Sequence, residues 1–454
     1  MNEQEKIEKV NLQYNQIILN EFLKNKKFVQ YADNFSGEKS NIQEGFLPTT
    51  LKPRFNTRKQ EYIVKNAVET IISGLKKIEK ALIKGDIKLK IFMGLNNKEI
   101  EILKIPRKYK NPYPWIRFDA ALIDKMFKII EINLNFPGGP GAVDEIGEKF
   151  SKLSSIKKIS LITKIKLNKG ANHHLFRVFM DYYKEAGFKK AKPNLLILRW
   201  SDYDVTMDSD SIAKYFIKKG CNTVIADPRD VTFDKDCLKY KGFKANLVLK
   251  WFDLDILLER QKTCVELMKA IKSEKIVIIN PLSASVMATK SSFAVMTSKE
   301  FGYLFSNKEK RAFRRHVPWT RLFFEGNSDT STGKKIELVK YAKLNRDRII
   351  LKPAVGTCGK NVFVGAAYSQ DKWISTVNKI ISQKKRYIIQ ERVQILQEFF
   401  PAIRGGNMIF EKRRIDILPM LFDGKYRLSW SRCAYGYILN GYQGGIFGLN
   451  YTVL

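Results

Sequence analysis

Between Trp115 and Gly139 the chain reads W-I-R-F-D-A-A-L-I-D-K-M-F-K-I-I-E-I-N-L-N-F-P-G-G, and no other stretch restricts its fold as strongly. Two apolar runs, W-I-R-F-D-A-A-L and F-K-I-I-E-I-N, flank a short polar connection, the pattern of an antiparallel hairpin. Side chains alternate faces along a strand, so Arg117 and Asp119 share one face, as do Glu131, Asn133 and Asn135 on the second strand. Pairing around Lys125 sets Asp119 opposite Glu131 and Arg117 opposite Asn133, and a slip of one residue would undo that arrangement. Carboxylates opposed across a sheet repel each other, and a cation between them removes the conflict. Two carboxylates and an amide carbonyl are hard oxygen donors that suit Mg²⁺ holding nucleotide phosphates. The guanidinium of Arg117 suits a phosphoryl or acyl-phosphate oxygen. An ordinary hairpin with a solvated polar face is the other reading of these residues taken alone.

The remaining composition narrows the chemistry. Five cysteines (Cys221, Cys237, Cys264, Cys358, Cys433) are scattered without a C-x-x-C pair, which argues against a zinc site or a disulfide framework and fits a reducing cytoplasm. Three histidines make a histidine-rich metal site or a histidine-based triad a poor fit. No apolar run approaches the roughly 18–20 residues of a membrane-spanning helix, and the first ten residues lack the apolar core of a secretory signal. The expectation is a cytoplasmic protein without a membrane partner. Lys and Arg number 81 against 46 Asp and Glu, a formal charge of +35. Such a field draws in nucleotides and acidic peptides and repels free polycations. Nucleic-acid binding is compatible with that charge, yet the lysines are dispersed through helices with no accompanying nucleic-acid motif, so a solvated basic surface is the favoured reading.

Along the chain, Ile7, Val10, Leu12, Ile17, Leu19 and Phe22 recur at helical spacing over residues 3–30, and a polar loop follows at 31–41. A second amphipathic helix is expected over 58–84, closed by Gly85-Asp86, with the hairpin next and P-G-G-P-G as a rigid break after it. From Asn194 strands alternate with helices: N-L-L-I-L-R-W, a helix at 211–219, C-N-T-V-I-A, a β-ribbon ending in A-N-L-V-L-K-W, a helix at 255–272, and K-I-V-I-I-N. That alternation implies parallel strands covered by helices. A basic helix at 308–321 is broken by Pro318, and Arg314, Arg315 and Arg321 either face an anion or form a solvated face. The last third is mostly antiparallel sheet with Asp423-Gly424 as a turn.

A second constellation lies in that last third. L-K-P-A-V-G-T-C-G-K-N puts Lys352 at a strand end with Gly356 and Gly359 in the following loop. Glycines let backbone N–H groups approach phosphate oxygens, and the lysine adds a point charge. The loop is not a Walker P-loop, since G-x-x-x-x-G-K-[ST] is absent, and a plain hairpin turn is its alternative. Cys358 in this loop reads as a tolerated small residue, not a thiol catalyst. Further on, Y-I-I-Q-E-R-V offers a strand whose backbone could read an adenine edge, with Gln390 and Glu391 at its turning point.

Taken together, the strand lysine, the glycine loop and the later Q-E segment resemble the ATP-grasp fold of ATP-dependent ligases. Here E-I-N precedes them by more than two hundred residues, an order similar to the circularly permuted ATP-grasp proteins of the glutathionylspermidine synthase type. R-F-D with E-I-N, the α/β stretch ending V-I-I-N-P, L-K-P-A-V-G-T-C-G and I-I-Q-E carry the resemblance over residues 85–454. It implies an α/β (α+β) fold: a circularly permuted ATP-grasp with an inserted parallel α/β domain and an N-terminal helical segment. The expected division is 1–84 for the helical segment, 85–189 for the first ATP-grasp part, 190–305 for the α/β substrate domain and 306–454 for the second ATP-grasp part. The resemblance further implies Asp119, Glu131 and Asn133 as Mg²⁺ ligands, and Arg117 at the transferring phosphoryl group. Lys352 would sit on the ATP phosphates, Gly356 and Gly359 in the lid loop, and Gln390 with Glu391 on the adenine strand. The activity implied is ATP-dependent joining of a carboxylate to an amine through an acyl phosphate. An acidic peptide acceptor is one variant, and a non-catalytic basic RNA-binding scaffold is the alternative of a different class. Residues 1–84 contain neither Cys nor His, so no amidase nucleophile lies there. Ser431, Arg432 and G-Y-Q-G-G are expected near the acceptor, and the positive field weighs against a free polyamine.

Overall fold

Thr57 starts the second long helix with a capping box: its hydroxyl accepts from the N–H of Gln60, whose side chain accepts from the N–H of Thr57. In the computed structural model, which describes residues 2–24, 48–167, 169–202, 207–356, 359–383, 385–441 and 444–454, this helix runs Arg58–Ile83. It buries Val64, Ala67, Val68, Ile71, Leu75, Ile78 and Leu82 against the largest core cluster, the apolar stripe its spacing calls for. The first helix spans Glu3–Lys24. The polar segment at 31–41, Cys358 and the middle of G-Y-Q-G-G lie outside the described residues. Two short helices that periodicity did not suggest, Ile87–Met93 and Asn97–Leu103, fill the run before the hairpin. Each is capped by the side chain of the residue before it, Asp86 and Asn96, and seven residues are too few to display a period.

The hairpin, Trp115–Ile123 with Met126–Asn133, belongs to a nine-stranded sheet. Its order along the main path is Arg54–Thr57, Ile446–Val453, Lys425–Ala434, Leu418–Phe422, Trp115–Ile123 and Met126–Asn133. Arg54–Thr57 pairs parallel with Ile446–Val453, Arg54 opposite Asn450. Asp423 and Gly424, at φ 54° and 71°, make the tight turn between Phe422 and Lys425, as Asp-Gly should.

The α/β part is a four-stranded parallel sheet in the order Val277–Ile279, Leu247–Lys250, Leu195–Leu198, Thr223–Ala226. Leu195–Leu198 and Leu247–Lys250, the two central strands, are buried at every position, which is why they read as unbroken hydrophobic runs. The expected single helix over 255–272 is instead Leu254–Glu259 and Val265–Lys272, separated by a 3₁₀ turn at Gln261–Thr263. P-G-G-P-G is less a break than a helix start: Pro140 opens the helix Pro140–Ser151, where its missing N–H costs nothing. The basic helix ends at His316, with Val317 as its cap before Pro318.

A third, antiparallel sheet holds the lysine strand: Thr320–Phe323, Tyr387–Glu391, Ile349–Pro353 and Phe363–Val364. Ile349, Leu351, Tyr387 and Ile389 point into a small separate core with Trp319, Trp373 and Val377. By the two-residue period, Ile350, Lys352 and Gln390 face the other way, toward the large sheet. No helix among the described residues is long and apolar enough to cross a membrane.

Candidate active site

The hairpin pairs in the expected register, with Arg117 opposite Asn133 and Asp119 opposite Glu131. It does so by a different route. The turn closes Ile123 onto Met126, one residue tighter than pairing around Lys125 would give, and an irregularity after Asp119 leaves Ile130 unpaired. Such a bulge restores the register at the acidic end and re-aims the side chains beyond it. Asn280 bolts this end in place: its side-chain amide donates to the carbonyls of Trp115 (2.6 Å) and Leu134 (2.7 Å), and its oxygen accepts from the N–H of Trp115 (3.1 Å).

One cavity is walled by the hairpin on one side and the small sheet on the other. Its lining includes Asp119, Glu131, Lys352, Gly359, Gln390, Asp416 and Arg432. Lys352 donates to the Gln390 side-chain oxygen at 2.8 Å and to the Ile130 carbonyl at 3.3 Å. The bulged residue of the hairpin thus touches the lysine of the other sheet. Burial pushes the Lys352 ammonium down to about 8, against the pull of nearby Glu131. Asp119 accepts from three donors: Arg117 Nε at 3.0 Å and Asn133 Nδ2 at 2.9 Å on Oδ1, and Arg432 Nη2 at 2.6 Å on Oδ2. Burial raises its pKa, but the Arg117 and Arg432 guanidiniums outweigh that and hold it well below the usual carboxylate range. At Asp416 burial wins over Arg432, helped by the charge of Asp119, and the pKa stands above its ordinary value.

The other expected site residues fall as follows. Arg117 also donates to the Gly138 carbonyl at 2.9 Å, which ties it to the P-G-G turn. Asn133 meets the site through Asp119. Gly356 is exposed at φ 156° and its carbonyl accepts from Lys290 Nζ at 3.1 Å, while Gly359, at φ 67°, lines the cavity. Gln390 spends its side chain on Lys352 and on the Thr320 hydroxyl, to which it donates at 3.0 Å. Glu391 closes its strand with an exposed side chain outside the cavity lining, and Val393 and Ile395 beyond it supply the apolar wall. Arg321 is buried and the anion it faces is the chain's own Asp329 carboxylate, at 2.8 Å. Ser431 is also buried, donating to Asn450 at 2.5 Å, because alternation turns it away from the face that carries Arg432.

Two residues escaped the sequence reading. Lys290 is buried and paired with Glu131 at 2.9 Å, so the second carboxylate of the hairpin is held by a cation from a loop. Asp416 stands behind Arg432, which donates to it through its backbone N (2.6 Å), Nε (3.0 Å) and Nη2 (2.7 Å). Neither sits in a glycine-rich or acidic motif, so nothing local marked them. A larger open groove, of about 680 Å³, runs past Ile217, Val224 and Phe243. Lys244 is the sole charged residue in its described lining, so it lacks the converging charges of the hairpin cavity.

No protein-family model matches the chain, and no curated protein matches it by sequence. Among solved structures it is similar to a glutathione synthetase-like effector (GSS30) from Globodera pallida in apo form, at 14% identity and TM-score 0.58, over 96% of this chain and 97% of that one. A putative gamma-glutamylcysteine synthetase from Methylobacillus flagellatus aligns at 12% identity and TM-score 0.42 over 85% of both chains. D-cycloserine synthetase DcsG aligns at 16% identity and TM-score 0.32 over 56% of this chain and 71% of its own. The full-length likeness to the first of these fixes the architecture: this chain has the mixed α/β fold of ATP-grasp proteins.

Proposed function

We propose that the protein is an ATP-dependent carboxylate–amine ligase of circularly permuted, glutathionylspermidine synthase-like ATP-grasp type. The observation that carries this reading is the cavity shared by Asp119, Glu131 and Lys352, the lysine lying more than two hundred positions beyond the two carboxylates. In this reading 85–189 and 306–454 form the two halves of the nucleotide site, 190–305 shapes the substrate cleft, and 1–84 is an N-terminal helical segment.

Mg²⁺ fits the donor set. Asp119 and Glu131 are hard oxygen ligands, and each already holds a cationic nitrogen, at 2.6 Å from Arg432 and 2.9 Å from Lys290. Those two with Asn133 would hold the ion, which when bound would neutralise the phosphate charge of ATP. The chain's own groups do the rest. Lys352 and Lys290 place positive charge on the phosphates, with Gly356 and Gly359 in the loop over them. Arg117, fixed by Asp119 and Gly138, stabilises charge on the phosphoryl group in flight. The strand of Gln390 and Glu391, with Val393 and Ile395, takes the adenine. The substrate carboxylate oxygen bonds to the γ-phosphorus as ADP leaves. The amine nitrogen then bonds to the acyl carbon, phosphate departs and the amine proton is lost. No protein nucleophile is required; the catalysis is positioning and charge.

Glu131→Gln tests the proposal. It keeps the shape and removes the charge, and ADP release in the presence of Mg²⁺ and substrates should fall at least ~100-fold. A variant that turns over at the wild-type rate would refute the assignment.

A further inference from the structure

The acidic pocket contains its own cation. We propose that Arg432 is a resident counter-ion, that an incoming divalent ion must displace its guanidinium from Asp119, and that Asp416 retains it once displaced. This rests on the reading of Asp119 as a metal ligand.

The three donors to Asp119 are unequally attached. Oδ1 of Asp119 takes two donors, and Oδ2 takes only the Arg432 guanidinium, whose positive charge at 2.6 Å opposes any cation approaching that oxygen. Of the three donors, Arg432 Nη2 is the one already shared with a second carboxylate, at 2.6 Å from Asp119 and 2.7 Å from Asp416. Its release from Asp119 therefore leaves the guanidinium still paired with a carboxylate, whereas loss of the Asn133 contact would take an amide donor from its acceptor. Arg432 cannot drift far. Its backbone N and Nε also donate to Asp416, and the Asp416 N–H donates to the Arg432 carbonyl at 3.1 Å. Asp416 is fixed in turn by Arg54, whose Nη1 donates to its carbonyl at 3.2 Å. The charges agree. Arg117 and Arg432 balance Asp119 and Asp416, and Lys352 and Arg54 add positive charge beside them, so the pocket offers a free ion little attraction. Glu131 repeats the device: Lys290 pairs with it while donating to the Gly356 carbonyl.

Mn²⁺ binding to the nucleotide-free protein, followed by electron paramagnetic resonance, tests this. Arg432→Gln should bind Mn²⁺ about tenfold or more tightly than wild type, because it removes one positive charge from beside Asp119, while Arg432→Lys should stay within about threefold of wild type. A folded Arg432→Gln protein that binds no more tightly would reduce Arg432 to a structural clamp and overturn the proposal. Wild-type protein that binds no Mn²⁺ even with ATP would remove the metal reading beneath it, a distinguishable failure that also overturns the inference. A crystal structure of the wild type with Mn²⁺ and ADP decides the matter without a mutation. Arg432 should stand on Asp416 alone, and an intact contact to Asp119 beside a bound ion would overturn the inference.

Discussion

Lys352 joins the two walls of the cavity, so single substitutions there separate charge from packing. Lys352→Ala should weaken ATP binding roughly tenfold or more, the loss of a desolvated charge contact to phosphate; unchanged affinity by titration calorimetry would exclude Lys352 from the phosphate site. The same residue sets a pH dependence. Folded, its ammonium loses its proton near pH 8, held down by burial. Unfolded, it keeps the proton to about pH 10.4. Between those values the unfolded chain binds more protons, so stability rises with pH across that window. Lys352→Met should flatten the part of that rise that lies between pH 8 and 10, measured as melting temperature against pH. Lys352 and the opposed carboxylates were legible because charged residues interrupt β-periodic runs. Lys290 and Asp416 were not, since they enter the site from segments whose local pattern is ordinary and whose partners lie far along the chain.

At the scale of the element, the glycine turn after the hairpin controls where Arg117 points. Gly139 has φ 127°, and a Cβ there would lie 2.7 Å from the Trp430 ring. Its N–H donates to Asp208, as do those of Gly141 and Ala142, so one carboxylate caps the helix that begins at Pro140. Gly139→Ala should therefore cost about 1–3 kcal/mol by crowding Trp430, read from denaturant unfolding, with reduced turnover as Gly138 shifts its carbonyl from Arg117. Wild-type stability would show that the turn has room to relax. The hairpin register was readable because face alternation depends on parity alone. The bulge at Ile130 left one trace, the doubled Ile129-Ile130 that shifts the buried positions from Phe127 and Ile129 to Ile132, and two adjacent isoleucines read as an ordinary apolar run. The short helices at Ile87–Met93 and Asn97–Leu103 escaped for the opposite reason, each being too brief to show a period.

For the whole molecule, the charge of +35 is a field, and ATP is an anion of opposite sign. The rate of ATP association should fall steeply as ionic strength rises from about 0.01 to 0.15 M, where the screening length shrinks from roughly 30 to 8 Å. A flat salt dependence in stopped-flow binding would mean that the excess lysines lie too far from the cavity to matter. The parallel α/β sheet was legible from its unbroken hydrophobic strands; which strands complete the large sheet was not, because partners distant in sequence leave no local trace. The pairing of Arg54–Thr57 with Ile446–Val453 is such a case. A seam sewn between the two extremities of the polypeptide cannot nucleate early, since nearly the whole chain must be gathered before it forms. That edge of the sheet should therefore close last, after the local hairpins, and a half-made molecule has its acidic hairpin before it has the finished pocket.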